Sequence, residues 1–263
     1  MVLERMVSVK TALKNPLWVF AIGAIVSLAC LTVAFLISKT SIGFFTSFLI
    51  TITMVPFMLN LSRHEEARQE DLIKARKHLG ILQRNRDVLK IYTAFFCGMI
   101  FSLSLLYFAL PEKYVERVFQ DQINEINLIR GNIAFGDVFT KIVVNNISVM
   151  FLSFFLSFLF GAGAIFILAW NASILSAAIG MAAKSIGGVK GLPLAVLMFF
   201  PHGSLEILAY FIGAIAGSFV SVAVTRRKSE GFWFVVKDSF QLLAVSVLLL
   251  ILAGLIEAIA IVA

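Results

Sequence analysis

Three ionisable residues stand where the chain is otherwise oily. His202 and Glu206 fall in the stretch FFPHGSLEILAYF, inside a run from Gly191 to Thr225 with no Lys or Arg and one acidic residue. Glu257 falls in AGLIEAIAIVA near the end of the sequence. Residues four apart share one face of a helix, so His202 and Glu206 point the same way. That face continues through Tyr210, Gly213 and Gly217, and GAIAG is a small-xxx-small pattern that lets a second helix approach closely. A titratable imidazole with two acids in apolar surroundings is the equipment of a proton- or cation-coupled site. The same His202, Glu206 and Glu257 would, with a water, make a sparse ligand set for a metal such as zinc.

Further polar groups interrupt apolar runs at Asn145 and Asn146, in VVNNISVM, and at Asn171, in AWNAS. They either join the same intramembrane site or bond helix to helix and only hold the fold. A carboxylate turned to lipid would cost on the order of 2.5–3.5 kcal/mol, so Glu206 and Glu257 are expected to face protein.

The elements that must position these groups follow from composition. Of 263 residues, 60% are hydrophobic and 14% charged, far from the balance of a water-soluble domain. Several apolar runs reach the roughly 20 residues a helix needs to cross hydrocarbon, and none shows the two-residue alternation of a barrel strand. The fold class is therefore all-α: a polytopic transmembrane helical bundle of about seven spans, in contact with the lipid bilayer. The spans read as about 16–38, 42–61, 91–110, 142–160, 164–183, a full span from about 203 to 225, and 239–262. Domain organisation reads as an N-terminal hairpin with a charged cytoplasmic helix over 1–90, then a transmembrane core over 91–263.

The net charge of +7 marks loops on one side of a membrane, not a nucleic-acid surface. With the N-terminus cytoplasmic and the C-terminus outside, the inner side holds fifteen of the 22 Lys and Arg, in the leader, in 62–90 and in 226–237. Cys30 and Cys97 both lie in apolar runs, which argues against a disulfide. No glycine-rich nucleotide loop, CxxC or HExxH is present, and no enzyme activity is expected.

Two segments carry further expectations. Residues 62–90, with eight basic and five acidic side chains, read as a helix whose Leu72, Leu79, Leu82 and Leu89 recur near every 3.5 residues. It is either a coiled-coil or partner-docking helix, or a solvated extension of the neighbouring spans. A helix over 191–225 would be about 50 Å long against a core of about 30 Å. Pro201 and Gly203 are therefore expected to break it, leaving 192–200 as a re-entrant or interfacial half-helix before the full span.

The stretches NNISVMFLSFF, GAGAIFILAWNA, PHGSLEILAYFIGAIAGSF and LIEA, in this order, resemble the stage II sporulation protein M family of integral membrane proteins. The resemblance covers roughly 92–262, and its most specific part is Pro-His-Gly-x-x-Glu with a downstream Ile-Glu-Ala. The family's span-five Asn is typically followed by Gly, where this chain has Ala172. The resemblance implies a non-enzymatic membrane component. In spore-forming bacteria members help recruit a wall-hydrolase complex to the septum, but the family extends to organisms that do not sporulate, including archaea, so that role does not transfer.

Three functions stay open on these residues: a proton- or cation-coupled transporter or ion pathway, a scaffold that binds other membrane proteins, and an intramembrane metal site. A homodimer is expected, through Gly213 and Gly217 or through the leucine stripe.

Overall fold

A computed structural model describes residues 8–74, 83, 85–129, 135–160, 164–225 and 232–262. Its helices are α1 (Val9–Lys14), α2 (Leu17–Ile37), α3 (Ile42–Lys74), α4 (Arg86–Ala109), α5 (Glu112–Val118), α6 (Gln120–Ile129), α7 (Phe135–Phe160), α8 (Ala164–Ile186), α9 (Leu192–Thr225) and α10 (Phe232–Val262). A single 3-10 turn, Gly188–Gly191, joins α8 to α9. Among the described residues there is no strand. Seven helices are long and apolar enough to cross a membrane. In hydrocarbon a helix satisfies its own backbone, which is why each long apolar run takes this form. Large apolar side chains such as Leu36, Phe155, Phe200 and Leu248 lie exposed on the outside of the bundle, a surface suited to lipid.

Several spans run beyond their apolar stretches. The second continues as one helix through Pro56 to Lys74, so the first part of the charged 62–90 segment is an extension of α3. Asp87 pairs with Arg68 at 3.7 Å and so ties that extension to the start of α4. Leu79 and Leu82 of the leucine stripe lie outside the described residues, as does the side chain of Leu72; Leu89 is half-buried against the main core. Residues 161–163 also lie outside them.

The polar stretch after Pro111 is built into the bundle. In α5, in α6 and at Phe119 between them, Val115, Val118, Phe119 and Ile126 are buried with Tyr107 of α4 and Ala177 of α8. The Asp121 carboxylate accepts from the backbone N–H groups of Gly43, at 3.1 Å, and Phe44, at 3.3 Å, at the open N-terminus of α3. An anionic acceptor there satisfies donors the helix cannot. Next to it, buried Gln122 donates to Ser173 Oγ of α8 at 3.1 Å.

One expectation is corrected. The helix does not break at Pro201 and Gly203: α9 runs without interruption from Leu192 to Thr225 with Pro201 inside it, and 192–200 is its first part. A proline removes one backbone bond, to the carbonyl four residues earlier, whereas opening the chain would strand several polar groups in hydrocarbon. Pro201 is exposed, so its ring and missing donor face away from the bundle. At about 51 Å, α9 exceeds the hydrocarbon thickness and must tilt or protrude.

Close backbone approach organises the packing at two places. Between α2 and α4, a Cβ at Gly23 would strike the Phe95 carbonyl and one at Gly98 the Phe20 carbonyl. Ser27 and Ser102 hydroxyls bond across this seam at 2.7 Å. In the second group, α9 lies against both α7 and α10. A Cβ at Gly217 would strike the Phe154 carbonyl of α7, and one at Gly254 of α10 would sit 2.6 Å from Val143 Cγ2 of α7. One apolar core spans both groups, and Phe211 of α9 packs its ring against Tyr92 and Phe96 of α4.

Candidate functional site

The second group of helices carries the site. The buried positions of α7 are Val138, Ile142, Asn146, Met150, Ser153 and Ser157, spaced four, four, four, three and four. This seam faces α9 and α10, so Asn146 points into the bundle and Asn145, its neighbour, is exposed. On α9, Glu206 and Tyr210 are one turn apart, and Gly213 and Gly217 continue the face. Those two glycines are what let the backbones of α7 and α9 close up against Met150 and Phe154. Glu257 lies on α10 one turn beyond Ala253 and next to Ala258, both fully buried.

Four side chains converge. Asn146 Nδ2 donates to Glu206 Oε1 at 2.5 Å. Asn146 Oδ1 accepts from the Tyr210 hydroxyl at 2.8 Å and, less closely, from Asn145 Nδ2 at 3.4 Å. The side chains of Glu206 and Glu257 come within hydrogen-bond reach of each other. Tyr210 and Asn146 are buried, and the two glutamates half-buried. No Lys or Arg among the described residues pairs with either carboxyl. Taking a carboxylate out of water without a counter-charge is costly, and two cannot both stay charged in contact. The contact therefore needs something positive between the oxygens: a shared proton or a bridging cation.

The remaining expected site residues lie elsewhere. Asn171 donates back to its own helix, to the Ile167 carbonyl at 2.8 Å. His202 is buried but turns its ring toward Phe199, with centroids 5.9 Å apart, and among the described residues it has no hydrogen bond to either glutamate. Sharing a face with Glu206 does not suffice, because the imidazole packs against the Phe199 ring of its own helix. The three-ligand set of His202, Glu206 and Glu257 is thus not assembled. Among the described residues no three His, Cys, Asp or Glu side chains gather to hold a metal ion. Gly203 meets nothing closer than Leu175 Cδ2 at 4.0 Å, so it is not a point of close approach.

Tyr210 is the site residue that the residue types do not announce. Its spacing from Glu206 puts it on the right face, but a tyrosine in an aromatic-rich span reads as packing. The signal that could have found it is that a buried tyrosine hydroxyl needs an acceptor, and the polar Asn146 on a neighbouring span offers one.

The chain is similar to an uncharacterized protein of Methanocaldococcus jannaschii, 27% identical over 164 residues, which cover 60% of this chain and 88% of that protein. No solved structure matches. The family model for stage II sporulation protein M matches residues 91–260, a stretch that contains α7, α9, all but the last two residues of α10, and every member of the four-residue cluster. The chain belongs to the stage II sporulation protein M family.

Proposed function

We propose that this membrane protein is a proton- or cation-coupled transporter or ion pathway whose binding site is the Glu206–Glu257 pair. The observation that carries the reading is the meeting of two carboxyl groups from different spans, inside the bundle, with no basic side chain beside them among the described residues. A purely structural contact between α9 and α10 has no need of two acids, since an amide or hydroxyl pair would do the same without a charge to neutralise. A pair that takes up and releases a positive charge is the arrangement that coupled transport uses. No enzymatic step is assigned to it.

Reconstitution tests this. In proteoliposomes, wild-type protein should carry a cation or solute flux that responds to an imposed pH or cation gradient, and Glu206→Gln should abolish it with the fold intact. Equal flux in empty liposomes and in those with wild-type protein would remove the transport reading.

The charge distribution supports a cytoplasmic N-terminus, with 62–90 and 226–237 on the same side. Cysteine labelling at position 63, on the exposed part of α3 beyond the span, should succeed only from the inside.

A second reading, a scaffold for other membrane proteins, is favoured by the continuation of α3 past its span to Lys74. The small-residue face does not serve that role, because Gly213 and Gly217 are filled by α7 of the same chain. A homodimer would need another surface.

A further inference from the structure

We propose that the ligand of the three-helix site is a proton shared by Glu206 and Glu257, not a metal cation, and that Tyr210 is the positioning residue that makes it so. This rests on the three-helix site being the functional one. The Asn146 amide has an oxygen end and a donor end. Its Oδ1 takes the Tyr210 hydroxyl and the Asn145 amide, so its Nδ2 is the end turned to Glu206. The opposite orientation would set Nδ2 against Asn145 Nδ2 and leave the Tyr210 hydroxyl proton without that acceptor. Tyrosine and asparagine together therefore present an N–H, not an oxygen, to the carboxyl pair.

That choice selects the ligand. A bound Na⁺, K⁺, Ca²⁺ or Zn²⁺ wants several oxygen or nitrogen lone pairs directed at it. Here one Glu206 oxygen is occupied by an amide donor, the Asn146 oxygen faces away, and His202 is turned to Phe199. A proton needs only one oxygen from each carboxyl. The proton is held between Glu206 and Glu257, while Glu206 Oε1 accepts from Asn146. The ionisable groups facing the pair are few. On α9 they are Tyr210, whose hydroxyl is committed to Asn146, and His202, which is turned aside. On α7 the nearest in sequence, Lys141, is exposed. On α8, Lys184 stands over the Tyr107 ring. On α10, Lys237 and Asp238 lie about 19 to 20 residues, some 28–30 Å, from Glu257 along the helix.

Infrared spectroscopy of the full-length protein in lipid nanodiscs tests this through the C=O stretch of protonated carboxyl groups. The wild type should show a protonated-carboxyl band at neutral pH that is lost in Glu206→Gln and in Glu257→Gln. Added NaCl, KCl, CaCl₂ or ZnCl₂ should leave it in place. Tyr210→Phe should keep the band and move its frequency, because the Asn146 amide is then free to turn; a merely structural tyrosine would not move it. Should a glutamine variant fail to fold, Glu257→Asp, which withdraws the carboxyl by one methylene, should shift the same band. Absence of the band, its loss on adding any of the four cations, or an unmoved band in Tyr210→Phe would overturn the proposal. A band without flux removes the transport reading alone, whereas flux without the band removes the shared proton.

Discussion

Replacing Gly217 with alanine adds one methyl group where α7 and α9 touch backbone to backbone. The new Cβ would strike the Phe154 carbonyl oxygen and lie 2.9 Å from its carbon and 3.1 Å from its Cα. These are main-chain atoms of a neighbouring helix, so no side chain can swing away and the helices must part. Overpacking of this kind costs roughly 1–3 kcal/mol. Opposing it, alanine in a helix interior gains roughly 0.5–1 kcal/mol over glycine. At their central values the steric term wins, for a net loss of about 1 kcal/mol. Gly203, fourteen residues earlier in the same helix, is the control. Its Cβ would meet only Leu175 Cδ2 at 4.0 Å, so Gly203→Ala should keep the conformational gain and stabilise by roughly 0.5–1 kcal/mol. The assay is reversible unfolding of both variants in mixed detergent micelles, read by circular dichroism. A Gly217→Ala protein as stable as Gly203→Ala, or more so, would refute the α7–α9 contact and with it the placement of Asn146 beside Glu206.

Asp121→Ala should destabilise by about 0.5–2 kcal/mol in the same unfolding assay, because it strips the acceptor from the N-terminus of α3. Asn146→Ala should cost about 1–3 kcal/mol, by leaving the buried Tyr210 hydroxyl unpaired, and should remove flux. Asn171→Ala, which loses only a bond to its own helix, should leave flux unchanged. Pro201→Ala should raise the melting temperature and leave flux intact, since α9 is already continuous there; lost flux would mean that the proline shapes the site after all.

The spans were legible in the sequence because hydrocarbon leaves so few options. Seven apolar runs of sufficient length correspond to seven long helices. Glu206, Glu257 and Asn146 stood out by being polar where polarity is costly, and the small residues at 213 and 217 marked a helix contact. Three things were not legible. Pro201 ends helices in water, where a freed carbonyl finds solvent; in a lipid-facing span that outlet is missing, and α9 passes through. His202 shares the face of Glu206, but a face is wide, and the ring packs against Phe199 of the same helix, a rotamer that spacing alone does not fix. The third is the docking of α5 and α6, which carry the polar Asp121 and Gln122. Their polarity is spent on α3 and α8, which no local pattern discloses.

If the three-helix site is the working one, Glu206 and Glu257 act as one unit. Flux in proteoliposomes for wild type, Glu206→Gln, Glu257→Gln and the double variant measures this, because groups that work together are grossly non-additive when removed singly. Each single variant should lose as much flux as the double. Two single variants that each keep substantial activity, with losses that multiply in the double, would contradict it.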